Sequence, residues 1–575
     1  MARIKKIEIE NFRSIQQLSW TPSPGINCLI GPGDSGKSTL LDSIDLCLGA
    51  RRNYQFCDAD FYHLDISRPI KISITIGDLQ DNLKNLESYG LYLRGFIEAT
   101  GKIDDEPAAD AETVLTLELT VNDDLEPVWS LVSNRSAAQD LTKNLNWRDR
   151  VTISPTRIGV LADYHLGWRR GSVLNYLTEE KADSSAALTK AARDARAAFG
   201  KEAQEQLGET LQIVSETAKQ LGIPTGENVK ALLDAQSVTF SGGTISLHNE
   251  SGVPLRGLGT GSTRLLIAGL QKKAAVQSTI ILVDELEYGL EPHRIIRFLD
   301  SLGSKEKSAN LQVFMTTHSP VAIRELSGNQ IYVIRNTNGV HRCIQVDSND
   351  GIQSTLRLFP EAFLAKSVIV CEGASEVGLI RGLDWHRSDQ GMHSINASGV
   401  ALIDSGGGNP DTALSRALAF QQLGYNVSIL RDDDLLPSET LENEFSLAGG
   451  ITFKWRDGRT LEDELFMSLS LKGVEALLNL AIEIYGEELV NDHIKSATSN
   501  QLDLHQIQVQ LIIPDDDTTA MRSALSKASQ TRKSGWFKSI SKMQIVGYKI
   551  ISHDSFDNDP TVISIFEQIF SWAHQ

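Results

Sequence analysis

Two groups of residues in this chain have the types and spacing for phosphate chemistry, and they lie far apart. Gly31-Pro32-Gly33-Asp34-Ser35-Gly36-Lys37-Ser38 fits the pattern G-x-x-x-x-G-K-[ST]. In such a loop the glycines let backbone N–H groups wrap a β-phosphate, a lysine (Lys37) adds a cation, and a hydroxyl (Ser38) reaches Mg²⁺. The candidate nucleotide contacts are therefore Gly31, Gly33, Asp34, Ser35, Gly36, Lys37, Ser38 and Thr39. The second group is Glu372, Glu376, Asp432 and Asp434, hard oxygen donors of the kind Mg²⁺ or Mn²⁺ prefers. The first group points to nucleotide hydrolysis and the second to cutting or joining a phosphodiester.

The flanking pattern supplies elements to position both groups. Gly25–Ile30 reads as a strand entering the glycine loop, and a helix beginning at Lys37 carries Leu40, Leu41, Ile44 and Leu48 on one face. Strand, loop and helix together give the motif its expected context. Ile280–Val283 is an apolar strand ending at Asp284, placed to hold Mg²⁺ through water, with Glu285 beside it as the base that orients attacking water. Another apolar strand ends at Thr316-Thr317-His318, where His318 suits a γ-phosphate sensor. Downstream, Ser367–Cys371 is an apolar strand ending at Glu372. The helix after it places Glu376 one turn further on the same face. Val427–Leu430 ends at Arg431-Asp432-Asp433-Asp434, and strand alternation turns Asp432 and Asp434 one way and Asp433 another. Asp404 ends an intervening strand and is a further candidate for the same site.

At 575 residues, with 41% hydrophobic and 22% charged residues, the chain has the composition of a multidomain globular protein. No apolar run approaches the roughly 18 residues a membrane span needs. The N-terminus passes straight into an alternating strand over residues 3–10, which predicts a cytoplasmic protein. The five cysteines form no CxxC pair and read as reduced core thiols, which argues against structural zinc. The net charge of −19 excludes an overall basic surface, while leaving room for a local basic face that neutralises phosphates. Residues 69–78 and 113–121 alternate as antiparallel strands. Lys181–Lys219 is rich in Ala, Glu, Lys and Gln, the mixture of a helical hairpin or dimerising insertion. The tail to Gln575 reads as a mixture of helices and strands.

Gly257-Leu258-Gly259-Thr260-Gly261-Ser262, with Asn11-Phe12-Arg13 before it and Gly289-Leu290-Glu291-Pro292 and His318 after it, resembles the ABC-type ATPases of the SMC and recombination-repair group. That resemblance implies paired heads, in which the signature segment of one completes the nucleotide site of the other. The segment departs from Leu-Ser-Gly-Gly, and Gly261 and Ser262 are its candidates for γ-phosphate contact. Glu372-Gly373 with Asp432-x-Asp434 resembles the Toprim fold. The two in series resemble the OLD-family nucleases, which include the nuclease subunit of Gabija and OLD-type retron effectors. The resemblance implies an α/β fold: an ABC-type P-loop ATPase with a helical insertion, followed by a Toprim domain. The expected divisions are 1–160 and 236–355 for the ATPase, 161–235 for the insertion and 356–575 for the nuclease. It also implies a further acid, Glu462 or Asp463, for a second metal, and a charge-stabilising lysine, Lys538 in preference to Lys533. ATP is the implied nucleotide and Mg²⁺ the implied ion, with Mn²⁺ or Ca²⁺ as substitutes at the Toprim site. The implied activity is metal-dependent DNA cleavage in antiviral defence by a homodimer or homotetramer. A neighbouring helicase, or a reverse transcriptase with retron nucleic acid, is the implied partner class. The competing reading is an SMC-like structural ATPase that binds DNA without cutting it.

Overall fold

The computed structural model describes residues 2–574 except 52, 160–164, 167–171, 175–189, 192, 196–197, 200–206, 221–246, 252–253, 274–278, 307–309, 349, 457, 514–516 and 532–533. Most of the expected helical insertion, and Lys533, lie outside the described residues. The chain divides into two compact units. The first holds Met1–Cys28, Ser38–Ala322 and Gly339–His341; the second holds Leu29–Lys37, Ile323–Asn338 and Arg342–Gln575.

In the first unit, β1 (Arg3–Phe12) pairs antiparallel with β2 (Ile15–Trp20) and with β4 (Ile70–Gly77), while β3 (Ile26–Ile30) leads out toward the glycine loop. Ile4, Ile7 and Ile9 are all buried although the first two are three residues apart. A register shift between Ile4 and Lys6 reconciles them, as a bulge does when an extra residue enters a strand. Ile70, Ile72, Ile74 and Ile76 bury one face of β4, the outcome of strict alternation. β5 (Leu93–Ile97), β6 (Lys102–Asp104), β7 (Glu112–Val121) and β8 (Pro127–Leu131) extend this antiparallel layer. The helix Lys37–Leu48 buries Leu40, Leu41, Ile44 and Leu48. Buried Arg150 caps its C-terminal end, donating to Gly49 O (2.9 Å) and Cys47 O (3.2 Å). β9 (Thr156–Ile158), β10 (Ile280–Val283) and β11 (Gln312–Thr316) form a parallel set whose middle strand is buried throughout.

β12 (Ile331–Thr337) and β13 (Val340–Gln345) are joined through Asn338 and Gly339 at φ 52° and 87°, the positive values a two-residue hairpin turn demands. The second unit then builds a four-stranded parallel sheet in the order β15 (Val400–Asp404), β14 (Ser367–Cys371), β16 (Asn426–Arg431), β17 (Ile451–Lys454). Parallel strands need crossovers, supplied by the helices Ala374–Asp389 and Pro410–Gln422. All four strands run the same way, so the residues that end β14 and β16 meet at one edge. After β17 the described elements are all helical, which corrects the mixed tail read from the sequence. Val474, Leu477, Leu478 and Ala481 recur at helical spacing and are buried, part of an apolar core that runs on to Trp572. The architecture is α/β.

Candidate functional site

In the first unit, Asp284 follows β10 directly. Its Oδ1 accepts hydrogen bonds from Ser38 Oγ (3.1 Å) and Thr316 Oγ1 (2.7 Å), and its Oδ2 lies 3.5 Å from the Arg157 guanidinium. A hydroxyl from the glycine-loop helix and the carboxylate ending β10 therefore share one spot, although they are distant in sequence. Arg157 also pairs with Asp42 (2.6 Å), which in turn pairs with Arg13 (2.5 Å). Thr39 Oγ1 lies 3.1 Å from Ser14 Oγ. Glu285 is exposed at φ 46°, its N–H donating to Thr316 Oγ1 (2.8 Å). His318 is exposed, and its N–H donates to Glu287 Oε1 (2.8 Å), while Thr317 Oγ1 donates to Glu287 Oε2 (2.6 Å).

Gly261 and Ser262 stand in the first turn of the helix Thr260–Lys273 rather than in a loop ahead of it. A Cβ on Gly261 would fall 2.1 Å from Gly289 O, so the helix start packs directly on the backbone after Asp284. Ser262 Oγ accepts from Arg294 Nη1 (2.9 Å). Arg264 on the same helix is fully buried and donates to the carbonyls of Asp284 (3.1 Å), Glu285 (3.0 Å) and Tyr288 (2.7 Å). This clamp, like the roles of Arg157, Thr316 and Glu287, is invisible in the sequence because each partner comes from a different element.

The glycine loop ahead of Ser38 is shaped by its own backbone. Gly31 sits at φ 144°, and a Cβ there would meet Ile334 O at 2.8 Å; Asp34 and Gly36 also take positive φ. Gly33 has open space where a side chain would be, and Ser35 is buried. Lys37 is 6% exposed, and its ammonium donates to Gly31 O (3.1 Å), Pro32 O (2.7 Å) and Ser35 Oγ (3.1 Å), which holds the cation inside the loop.

In the second unit, the ends of β14 and β16 bring Glu372, Asp432 and Asp434 together, with one carboxylate oxygen from each within 4.8 Å of the others. Asp432 N–H donates to Glu372 Oε2 (3.0 Å), and Leu461 N–H donates to Asp432 Oδ1 (2.9 Å). Asp433 points away. Burial pushes its carboxyl up, but the Gly458 N–H, Lys454 and Arg431 outweigh that and hold it below its ordinary range. Glu376 and Glu462 line the same cavity of about 400 Å³, as do Asp404 and Lys538. Glu376 accepts from Gly373 N–H (2.9 Å). Asp463 is drawn off instead as a helix cap, accepting from Thr460 Oγ1 (3.0 Å) and Ser526 Oγ (2.5 Å).

Four of these acids are perturbed in one direction. Burial, reinforced by Glu462 and Glu372, pushes Glu376 up to about 8. Burial, reinforced by Glu376, Glu462, Glu372 and Asp434, pushes Asp432 up to about 9. Glu372 and Glu462 are raised too, mainly by burial, against the Asp432 N–H for the first and Lys538 for the second. Glu462 Oε1 is buried with no hydrogen-bond partner. Packed carboxylates that repel one another, with an orphaned buried oxygen among them, are a donor set that a divalent cation fits.

The family model described as "AAA domain, putative AbiEii toxin, Type IV TA system" matches residues 26–324. The DNA replication and repair protein RecF of Prosthecochloris aestuarii is 44% identical over 45 residues, 8% of this chain and 12% of that protein. The OLD nuclease of Thermus scotoductus is 31% identical over 75 residues, 12% of this chain and 14% of that protein. The matched segments thus span only a small part of these curated relatives. Among solved structures, the Smc head domain with an extended coiled coil derived from Pyrococcus furiosus is 15% identical, covering 63% of this chain and 99% of that one. The TM-score of that match is 0.32. No helix among the described residues is long and apolar enough to cross a membrane.

Proposed function

The chain belongs to the AAA-domain family matched over residues 26–324, and from that premise we propose an ATP-hydrolysing, divalent-metal-dependent DNA endonuclease of the OLD type, working in anti-phage defence. ATP binding follows from the family. The nuclease half rests on one observation, the approach of Glu372, Asp432 and Asp434 to within 4.8 Å in a cavity that Glu376 and Glu462 also line. The partial likeness to an OLD nuclease supports it.

In the ATPase, Lys37 and the loop N–H groups would hold the phosphates, and Ser38 and Asp284 would hold Mg²⁺. Glu285 orients the attacking water, and His318 faces the γ-phosphate. Gly261 and Ser262 of a second copy close the site, which makes the working form a homodimer or homotetramer in the cytoplasm. In the nuclease, Glu372, Glu376, Asp432, Asp434 and Glu462 would hold the metal. Bound divalent ions there supply Lewis-acid polarisation and a water of lowered pKa. Lys538 offsets charge that builds on the scissile phosphate. DNA is the substrate, and a helicase or a reverse transcriptase with retron nucleic acid is the partner class.

Supercoiled plasmid incubated with the protein and Mg²⁺ or Mn²⁺, with and without ATP, tests the proposal. Nicked or linear product is expected. ATP turnover with intact plasmid in every divalent metal would replace it with a non-cutting, SMC-like DNA-binding ATPase.

A further inference from the structure

The turn Ser534–Lys538 is far more tightly built than a surface loop carrying a lysine needs to be. Trp536 is fully buried, and its indole Nε1–H donates to His493 Nδ1 at 3.0 Å. With Nδ1 accepting, the neutral ring carries its proton on Nε2, which faces Ser534 Oγ at 3.2 Å. The backbone is held as well. Trp536 N–H donates to Ser529 O (2.9 Å), and Tyr485 OH donates to Gly535 O (3.0 Å) while accepting from Lys542 Nζ (2.6 Å). The Trp536 ring packs edge-on against Phe466 (centroids 6.3 Å apart, planes at 72°). Phe466 lies one turn after Glu462 on the helix Leu461–Ser468, so a single indole ties the lysine's turn to the helix that carries the orphaned carboxylate.

Gly535 completes the arrangement. Its φ is not in the left-handed region, so no backbone conformation calls for glycine there. A Cβ at that position would instead meet Lys538 Cγ and Cδ at 2.8 Å and Cε at 3.1 Å. The lysine stem lies across the bare Cα, on the way to the cavity that Glu462 and Asp434 line.

We propose that Gly535, Trp536, His493 and Tyr485 are positioning residues, a holder that sets the Lys538 ammonium against the carboxylate cluster. The inference rests on the nuclease reading for its catalytic meaning, but the geometry it asserts can be tested without cleavage. Gly535→Ala is the sharpest probe, because the nearest atoms a methyl meets there are those of the Lys538 stem, which must move to admit it.

Two readouts test the holder in the full-length protein. The first is the affinity for Mn²⁺ by electron paramagnetic resonance. A cation beside the acids opposes metal binding, so Lys538→Ala tightens Mn²⁺ several-fold. Gly535→Ala and Trp536→Phe tighten it in the same direction, and neither adds anything in a Lys538→Ala background. The second is plasmid nicking. Gly535→Ala lowers kcat by roughly tenfold to a hundredfold, the loss expected when a catalytic group shifts by about 1 Å. The melting temperature and ATP turnover stay unchanged.

Losses that multiply with that of Lys538→Ala, or Mn²⁺ affinities unmoved by Gly535→Ala while Lys538→Ala shifts them, would overturn the holder. An inert wild-type enzyme would sink the nuclease reading and leave the Mn²⁺ readout to judge the holder alone.

Discussion

Asp432→Asn should make the metal-free protein more stable, an unusual sign for a change at a buried polar residue. Carboxylate oxygens of Glu372, Asp432 and Asp434 lie within 4.8 Å of one another. At that distance and an effective dielectric of about 20, two ionised carboxylates repel by about 3.5 kcal/mol. Asp434 is exposed and its share is screened by water, which leaves about 1–3 kcal/mol to be relieved by removing the Asp432 charge. The amide keeps an oxygen for the Leu461 N–H, so no hydrogen bond is lost to offset the gain. For a unit of this size the change corresponds to roughly 2–4 °C in melting temperature per kcal/mol. The sign with pH follows from proton counts. With folded-state values raised to about 8 for Glu376 and about 9 for Asp432, the folded protein holds more protons than the unfolded chain above the ordinary carboxylate range. Metal-free stability therefore falls as pH rises through that window. The gain from Asp432→Asn is accordingly largest near pH 9 and fades toward pH 6. Thermal melting in EDTA and in Mn²⁺ at both pH values measures it. The variant should melt higher than wild type in EDTA and lose the Mn²⁺-dependent rise. A variant that melts lower in EDTA and keeps its response to Mn²⁺ would refute the repulsion argument.

Other outcomes follow from the same geometry. Mn²⁺ binding, followed calorimetrically, should tighten between pH 6 and pH 9 and release protons, because the raised carboxyls must ionise to bind. Gly261→Ala forces a methyl onto Gly289 O, a backbone atom that cannot swing away. It should cost about 1–3 kcal/mol in urea unfolding and abolish ATP turnover, with the Mn²⁺ response intact. Arg264→Met leaves three part-buried carbonyls without their donor, and should cost about 1–3 kcal/mol by the same measurement. Lys37→Ala should remove ATP turnover with no effect on the metal-dependent melting shift.

The strand-ending acids were legible because the apolar run Val368–Cys371 stops at Glu372, and the strand pattern Val427–Leu430 gives way through Arg431 to Asp432. Parallel topology then leaves few places for them but a common edge. The choice between Glu462 and Asp463 is also encoded locally. Thr460-x-x-Asp463 is a capping box, which commits Asp463 to the helix start and turns Glu462 elsewhere. Arg157, Arg264 and the Trp536–His493 pair carried no such signal. Each acts through partners brought from distant elements, and local patterning does not encode that kind of contact. The all-helical tail was obscured because short apolar runs such as Ala476–Leu478 fit a buried strand as well as a helix until their period is counted.

The most direct test pairs two assays on one variant, plasmid cleavage in Mn²⁺ and ATP hydrolysis by Glu372→Ala. The account predicts that wild type converts supercoiled plasmid to nicked or linear forms, whereas Glu372→Ala leaves it intact and hydrolyses ATP at the wild-type rate. Equal cleavage by the two proteins would contradict it.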